Sequence, residues 1–167
     1  MEVELRPATA ADAGQFADVQ MAAWREAFSP LLSPGFRMPE RSEFLAMART
    51  AIGQEGVERT VAVAGGRIAG FCTHGSSRDA DAKPDTGEIR AMFVHPYAWR
   101  GGVGTALLSN AIKRLRNDGC RAVTLWSFGD NQGASKFYER QGFTRDGAKQ
   151  TREAFGGVEE VRYRRTL

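Results

Sequence analysis

Val94-His95-Pro96-Tyr97-Ala98-Trp99-Arg100-Gly101-Gly102-Val103-Gly104-Thr105-Ala106-Leu107-Leu108 is the stretch that decides the fold of this chain. It continues an apolar run, 89–94, and leads into apolar residues at helical spacing, so it predicts a strand, a glycine-rich turn and a helix. The free backbone N–H groups of such a turn, together with the positive end of the helix dipole, form an anion site suited to phosphate. The glycines let a phosphate lie against the main chain, because they have no Cβ.

Two common phosphate-binding motifs do not fit this turn. A Walker A loop needs Gly-Lys-Ser/Thr, which does not follow here. The dinucleotide fingerprint needs G-x-G-x-x-G, but Gly102-Val103-Gly104 is followed by Thr105-Ala106-Leu107. An acidic residue that would mark a ribose site after a next strand is also missing from the sequence. The turn therefore predicts a phosphate site of another kind.

The stretch resembles the coenzyme A pyrophosphate loop of the GNAT N-acetyltransferase superfamily, Gln/Arg-x-x-Gly-x-Gly/Ala after a strand ending in Val-x-Pro. Gly102 and Gly104 fit the last two fixed positions, whereas Trp99 takes the first, and Arg100 comes one place later. A second segment, 131–143, reads Asn-Gln-Gly-Ala-Ser-Lys-Phe-Tyr-Glu-Arg-Gln-Gly-Phe and matches the superfamily's Asn-x-x-Ala-x-x-Phe-Tyr-x-x-x-Gly-Phe. The segment 23–28, Ala-Trp-Arg-Glu-Ala-Phe, precedes a Leu-Leu-x-Pro sequence and is similar to one bacterial branch with poorly defined acceptors.

Length and composition are those of one globular domain. The 167 residues, 42% hydrophobic and 26% charged, predict a single GNAT domain over 1–167 with a sizeable core. The apolar runs are too short to span a membrane, and the acidic start of the chain is unlike a secretory signal. Because Cys72 and Cys120 lie in or beside apolar segments, we expect reduced thiols and a cytoplasmic location.

The net charge and the small number of histidines and cysteines limit the classes of partner and ligand that the protein is expected to bind. The net charge of +3 comes from 23 basic and 20 acidic residues, which is too mild for a nucleic-acid-binding stripe. With only His74 and His95 and no paired cysteines, we expect no metal site. We therefore expect no nucleic-acid or membrane partner. A homodimer is implied only by its frequency among similar proteins.

Periodicity and turn signals predict the element order β-α-α-β-β-β-α-β-α-β-β, and hence a mixed α+β (α/β) fold. The predicted helices are 13–28, 39–53, a helix from 103 that stops at Gly119, and 131–142. The predicted strands are 3–5, 57–64, 68–73, 88–94, 122–126, 143–150 and 158–166. The resemblance implies a GNAT-like acyl-CoA N-acyltransferase fold, with a central sheet of about seven strands flanked by about four helices. It also implies that 88–94 and 122–126 splay apart at a bulge, leaving backbone groups that the pantetheine arm can pair with.

The cofactor-binding residues follow from the resemblance. The pyrophosphate is expected on the backbone of the turn, with the Arg100 side chain or the Thr105 hydroxyl adding a contact; the turn residues are Arg100, Gly101, Gly102, Val103, Gly104 and Thr105. Main-chain groups of Met92, Phe93 and Val94 are expected to face pantetheine and the acetyl carbonyl. Asn131 is either a contact to the cofactor arm or only a helix cap.

Acetyl transfer from a thioester to an amine needs a proton for the departing thiolate, and Tyr138 is the candidate general acid. A phenol has an ordinary pKa of about 10, so it is protonated at neutral pH and can donate a proton. Tyr138 also lies one turn into the helix that follows Asn131, which lets it point toward the sulfur. The alternative role is aromatic packing beside Phe137.

Glu88 is the candidate general base, acting through a water. Strict alternation places it on one face of its strand with Met92 and Val94, unless a bulge intervenes. Desolvation there is expected to raise its pKa, which suits a base, while Arg90 would lower it. A surface pair between Glu88 and Arg90 is the alternative, and His74 is the second candidate for the base.

The residues implied for the acceptor site are Trp24, Phe28 and Trp126, each of which is otherwise a core or packing residue. The sequence thus predicts an acetyl-CoA-dependent N-acetyltransferase acting on a primary amine of a small molecule or a protein. A catalytically silent acyl-CoA-binding module, which senses the cofactor or regulates a partner, is the alternative. The coenzyme is a co-substrate, and a metal is not required.

Overall fold

The helices and strands of the computed structural model, which describes residues 2–167, follow the order that the sequence predicts. The strands are β1 (Glu4–Pro7), β2 (Val57–Ala64), β3 (Arg67–Ser76), β4 (Thr86–Val94), β5 (Ala122–Phe128), β6 (Thr144–Thr151) and β7 (Glu159–Thr166). The helices are α1 (Ala13–Ala23), α2 (Arg41–Gly53), α3 (Val103–Asn117) and α4 (Gln132–Arg140). The first predicted helix differs in one respect, because its last five residues, Trp24–Phe28, form a π-helical turn.

The strands of residues 2–167 form one sheet in the order β1-β2-β3-β4-β5-β7-β6. All neighbouring pairs are antiparallel except β4 and β5, which run parallel and are joined through α3. Helices α3 and α4 cover one face of the sheet, and α1 and α2 cover the other, so two apolar layers form. This is the mixed, helix-covered sheet expected from the sequence.

Helix α3 fixes the position of the glycine turn. Its apolar face is the one that the sequence predicts, and all of it is buried: Val103, Leu107, Leu108, Ala111, Ile112 and Leu115. Burying an aliphatic side chain of this size stabilises the fold by about 1.5–3 kcal/mol. The start of α3 is therefore held rigidly against the sheet.

The two central strands separate halfway along their length. Strand β4 pairs with β5 only from Thr86, opposite Ala122, to Ile89, opposite Leu125. Beyond these residues β4 continues to Val94 and β5 continues to Phe128 without pairing to each other. The predicted splay is thus confirmed, and one edge of residues 90–94 faces a gap.

A β-bulge in β4 lies where the gap begins. Thr73 of β3 pairs with Ala91, but the next residue, His74, pairs with Ile89, so Arg90 is the extra residue. Ile89 packs in the α3 layer, and so do Met92 and Val94, three and five residues later. Since side chains alternate in a regular strand, the bulge has reversed the faces.

The start of α1 is fixed by a buried carboxylate. Asp12 accepts a hydrogen bond from the Thr9 N–H at 2.7 Å and two from the Arg6 guanidinium, both at 2.8 Å. Thr9 and Asp12 thus form a capping box. The hydrogen bonds from Arg6 lower the pKa of Asp12 to about 2, against the raising effect of burial.

Candidate functional site

The glycine turn presents a row of unpaired backbone N–H groups. The first backbone hydrogen bond of α3 runs from Ala106 N–H to Gly102 O at 3.0 Å. Within residues 2–167, the N–H groups of Gly102, Val103, Gly104 and Thr105 have no acceptor. Together with the positive end of α3, these free donors have the geometry and charge that suit an anion such as a phosphate.

Two residues of the turn adopt the left-handed conformation, and a third closes it. Gly102, the N-cap of α3, has φ of +84°, and Arg100 has φ of +60°. The sequence analysis expects the Gly101 amide to bind the pyrophosphate. In the structure this N–H donates to the Ala98 carbonyl oxygen at 3.2 Å, so it closes the turn and is not free for a ligand. The side chains of Arg100 and Thr105 are exposed beside the free amides.

Trp99, at the position where the coenzyme A motif has Gln or Arg, ties the turn to β4. Its indole Nε1 donates to the Val94 carbonyl oxygen at 2.7 Å, while the side chain stays 43% exposed. Of the three β4 residues expected to face pantetheine, Val94 therefore has its carbonyl already engaged. Nothing in the spacing of the motif predicts this contact.

Gly104 and Asn131, at the starts of α3 and α4, each have a structural role. A Cβ at Gly104 would lie 3.4 Å from Cζ of Phe137 and 3.7 Å from Cγ2 of Val94, so the start of α3 approaches α4 closely. The Asn131 side chain accepts a hydrogen bond from the Ala134 N–H at 3.1 Å. Its capping role is present, whether or not it also contacts a ligand.

Tyr138 of α4 packs in the apolar layer on the α3–α4 face of the sheet. The residue is only 9% exposed, and its ring packs on Phe143 and Tyr163 at centroid distances of 5.9 and 5.8 Å. The same apolar layer includes Met92 of β4. Burial raises the pKa of Tyr138 above its ordinary range, with a smaller effect from the neighbouring Cys72 thiol, so the phenol remains protonated. Tyr138 therefore has the aromatic packing role that the sequence offers as the alternative.

Glu88 lies on the opposite face from the one that strict alternation predicts. A Cβ at Gly87 would lie 2.7 Å from Cδ2 of Leu115, and Ile89 packs in the α3 layer, so the side chain between them points toward the α1–α2 face. The bulge at Arg90 then separates Glu88 from Met92. The candidate base and the candidate acid therefore lie on the two faces of the sheet.

The partner of the Glu88 carboxylate is Arg78, whereas the sequence suggested Arg90. Glu88 is 3% exposed and accepts hydrogen bonds from Arg78 Nη2 at 2.5 Å, from Arg78 Nε at 3.1 Å and from the Arg78 backbone N–H at 2.9 Å. Burial raises the pKa of Glu88, but the hydrogen bonds and charge of Arg78 outweigh it and hold that pKa below the ordinary range. The expected upward shift is thus wrong, because the sequence could not reveal Arg78. The Arg90 guanidinium instead donates to Ser76 O at 2.9 Å.

The segment 77–85 between β3 and β4 binds the α1–α2 face of the sheet through ion pairs. Asp79 accepts a hydrogen bond from Trp126 Nε1 at 2.9 Å, and its other oxygen lies 3.1 Å from Arg162 Nη1. Arg162 also pairs with Asp81 at 2.6 and 2.8 Å and with Asp146 at 2.7 Å. In the sequence this segment is only a polar stretch. Its contacts to Trp126 and Arg162 form because the pairing of the strands brings these side chains beside it.

The acceptor candidates occupy two different surroundings. Trp24 is 5% exposed and packs among Phe28, Phe44 and Phe155, so it is a core residue. Phe28 is half-buried and reaches the gap, because its ring contacts Phe93 of β4 at 5.9 Å and Phe128 of β5 at 4.8 Å. Trp126 lies instead in the polar network, where the Arg162 guanidinium is 5.6 Å from its ring centroid.

His74, the second candidate for the base, pairs with Ile89 of β4 and lies on the other face of the sheet from Glu88. Its ring is 1% exposed and lies 3.8 Å from the Glu58 carboxylate, on the face that α3 covers. Among residues 2–167, His, Cys, Asp and Glu side chains form no group of three or more that could hold a metal ion. Within the same residues, the helices are too short or too polar to cross a membrane.

Comparison with known proteins identifies the family. The family model for the GNAT acetyltransferases matches residues 21–143, which include the glycine turn, the separated strands and α4. This chain belongs to the GNAT acetyltransferase family.

Solved structures share the fold of this GNAT protein over its whole length. The PaiA N-acetyltransferase of Thermoplasma acidophilum, solved with coenzyme A, has a TM-score of 0.76 at 16% identity and covers 100% of both chains. YncA of Salmonella typhimurium, solved with acetyl-CoA, has a TM-score of 0.73 at 22% identity over 100% of this chain and 95% of that one.

Curated relatives match over shorter segments. An uncharacterised N-acetyltransferase of Methanocaldococcus jannaschii is 43% identical over 61 residues, which are 36% of this chain and 27% of that protein. A mycothiol acetyltransferase of Kineococcus radiotolerans is 37% identical over 100 residues, 60% of this chain and 31% of that protein. The chain thus spans between a quarter and a third of the length of these two relatives, at 27% and 31%.

Proposed function

We propose that this GNAT protein is an acetyl-CoA-dependent N-acetyltransferase that acts on a primary amine of a small molecule or a protein. One observation carries the proposal: the free amides at the start of α3 and the gap between β4 and β5 lie at the same end of the sheet. A diphosphate on the amides of 102–105 directs the attached arm along β4, where it finds unpaired backbone groups. The neighbours solved with coenzyme A and acetyl-CoA support this choice of co-substrate.

In the proposed reaction the amine nitrogen attacks the thioester carbonyl directly, since both substrates are held together and a covalent enzyme intermediate is not needed. Main-chain N–H groups of residues 92–94 are the candidates for polarising that carbonyl. The nitrogen–carbon bond forms as the carbon–sulfur bond breaks. Tyr138 donates its phenolic proton to the departing thiolate; its raised pKa keeps the phenol protonated at neutral pH, although it also makes the phenol a weaker acid.

We propose Glu88 as the group that receives the proton of the amine, through a water. Its low pKa keeps it ionised at neutral pH, although it also makes the carboxylate a weak base. Because the hydrogen bonds of Arg78 occupy both carboxylate oxygens, the same geometry also favours the alternative of a silent acyl-CoA-binding module. Phe28 at the gap and Trp126 in the polar network of Asp79 and Arg162 are the proposed acceptor contacts, and Trp24 supports Phe28 from the core.

Calorimetry with coenzyme A and acetyl-CoA, followed by thiol release from acetyl-CoA with a panel of amines, tests the proposal. We expect saturable binding of both cofactors and amine-dependent release of thiol. Cofactor binding with thiol release at the rate in buffer, for every class of amine, would favour the silent module. An absence of binding would contradict both functions.

A cytoplasmic location and a homodimer complete the proposal. Cys72 is buried and Cys120 is half-buried, and both are free thiols, as expected in a reducing compartment. Sedimentation of the purified protein would measure its oligomeric state.

A further inference from the structure

One arginine side chain binds three elements around the candidate acid Tyr138. Arg145 lies on β6, the edge strand of the sheet, and its Cζ is 5.5 Å from the ring centroid of Tyr163 on β7. Its Nε donates to the Tyr163 hydroxyl at 3.0 Å. Its Nη2 donates to the carbonyl oxygen of Gly129 at 3.1 Å and to Oγ of Ser135 at 3.3 Å. The guanidinium therefore joins β7, the turn between β5 and α4, and the first turn of α4.

Tyr163 connects this arginine to the interior of the α3–α4 layer. The residue is 0% exposed, and its hydroxyl accepts from Arg145 while it donates to Ser135 Oγ at 2.8 Å. The single O–H donor of this phenol is thus in use. The ring of Tyr138 lies 5.8 Å from that of Tyr163, but its phenol has no hydrogen-bond partner within residues 2–167. Of the two neighbouring phenols, only Tyr138 is therefore free to donate its proton to a ligand.

The same contacts act on the part of α4 that carries Tyr138. Ser135 is 5% exposed and lies three residues before Tyr138, so the two side chains share one face of the helix. Both contact Tyr163, Ser135 through its hydroxyl and Tyr138 through its ring. Helix α4 has 9 residues, and a helix this short depends on tertiary contacts for its stability and position. The hydrogen bonds of Arg145 therefore help to decide where Tyr138 lies.

We propose that Arg145 is a positioning residue for acetyl transfer, which holds α4 where the Tyr138 phenol meets the departing thiolate. The inference rests on the proposed function, in which Tyr138 is the acid. A general acid acts within hydrogen-bond distance of its target, about 2.6–3.2 Å, so a small displacement of α4 is enough to remove its effect. The hydrogen bonds of Arg145 go to β7, the β5–α4 turn and α4, and not to the free amides of α3. Its loss should therefore lower kcat and leave cofactor affinity unchanged.

A double-mutant cycle of Arg145→Met and Tyr138→Phe tests this role, with thiol release from acetyl-CoA as the assay and the amine that gives the fastest release as acceptor. Arg145→Met keeps an aliphatic side chain and removes every donor of the guanidinium. It should lower kcat about tenfold, the equivalent of one charge-assisted hydrogen bond of about 1.4 kcal/mol, while the Kd of coenzyme A stays the same. In the Tyr138→Phe background it should have no further effect on kcat. Arg145→Lys, which restores one cationic donor, should recover part of the loss.

Lys149→Met is the matched control, because Lys149 is another exposed cation of β6 and pairs with Glu159 at the surface. A surface ion pair of this kind contributes little, so kcat should not change. Hydrogen exchange of the backbone amides gives a second readout, which does not need turnover. Arg145→Met should speed the exchange of α4 and leave that of α3 as it is, whereas Lys149→Met should change neither.

Three results would overturn the role of Arg145. They are losses of kcat that multiply in the double variant, unchanged exchange of α4 in Arg145→Met, and an equal loss of kcat in Lys149→Met. Full kcat in Tyr138→Phe would instead remove Tyr138 as the acid, and the role of Arg145 would fall with it. A loss in Tyr138→Phe without one in Arg145→Met would overturn only the role of Arg145, so the two failures are distinguishable.

Discussion

Replacing Gly102 by alanine separates the conformational role of this residue from its role in phosphate binding. Gly102 has φ of +84°, and a Cβ there would meet nothing within 4 Å. The cost of alanine is therefore strain alone, about 1–2 kcal/mol for the left-handed conformation. For a chain of 167 residues this lowers Tm by about 2–8 °C.

Gly119 offers a matched control at the other end of α3. It has φ of +87°, and a Cβ at this position would likewise meet no atom within 4 Å, so Gly119→Ala should lose the same stability. Only Gly102→Ala, however, places a methyl group among the free amides of the turn. We expect it to remove at least one charge-assisted hydrogen bond to the diphosphate, worth about 1.5–3 kcal/mol.

Calorimetry with coenzyme A at a temperature well below both unfolding transitions measures the difference. Gly102→Ala should raise Kd about 10- to 100-fold, the equivalent of that loss, while Gly119→Ala should bind like the original protein. Equal affinities in the two variants, with equal losses of Tm, would refute the reasoning, because the turn would then not contact the phosphates.

Three other predictions concern single side chains. Tyr138→Phe should lower kcat far more than cofactor affinity, because it removes only the donated proton; equal losses in both quantities would exclude it as the acid. Arg78→Met leaves the Glu88 carboxylate buried without its partner, so the pKa of Glu88 rises. If the reaction needs an ionised Glu88, the enzyme is active only above the pKa of Glu88, so the acid limb of the kcat/KM profile should move to higher pH in this variant. The control is Arg140→Met, at an exposed arginine of α4, which should leave the acid limb in place. An unmoved acid limb in Arg78→Met would mean that Glu88 is not the base. Asp12 has a pKa of about 2 in the folded protein and about 4 in the unfolded chain. Its ionised carboxylate therefore stabilises the folded state at pH values above about 4, and this contribution is lost as the pH falls from about 4 to about 2. Asp12→Asn should remove this acid dependence, about 2 kcal/mol, from chemical denaturation curves, and an unchanged dependence would contradict the low pKa.

Contiguous patterns in the sequence determined the element order, the apolar face of α3 and the glycine turn. Each of these depends on residues within one or two turns of each other, so periodicity and turn chemistry are enough to specify them. The two motifs around Gly104 and Tyr138 determined the family for the same reason, since each is a local segment. The splay of β4 and β5 followed from the family resemblance, and the register confirms it.

Only the tertiary structure decided the surroundings of the proposed catalytic groups. The bulge at Arg90 reverses the face on which Glu88 lies, and a bulge depends on how β3 pairs with β4. Arg78 reaches Glu88, and Asp79 reaches Arg162 across 83 residues of chain, because strand register brings them together. The pKa of Glu88 and the hydrogen bonds of Arg145 to β7 and α4 depend on such contacts, which local sequence does not encode. Burial and charge pairing are properties of the packed molecule.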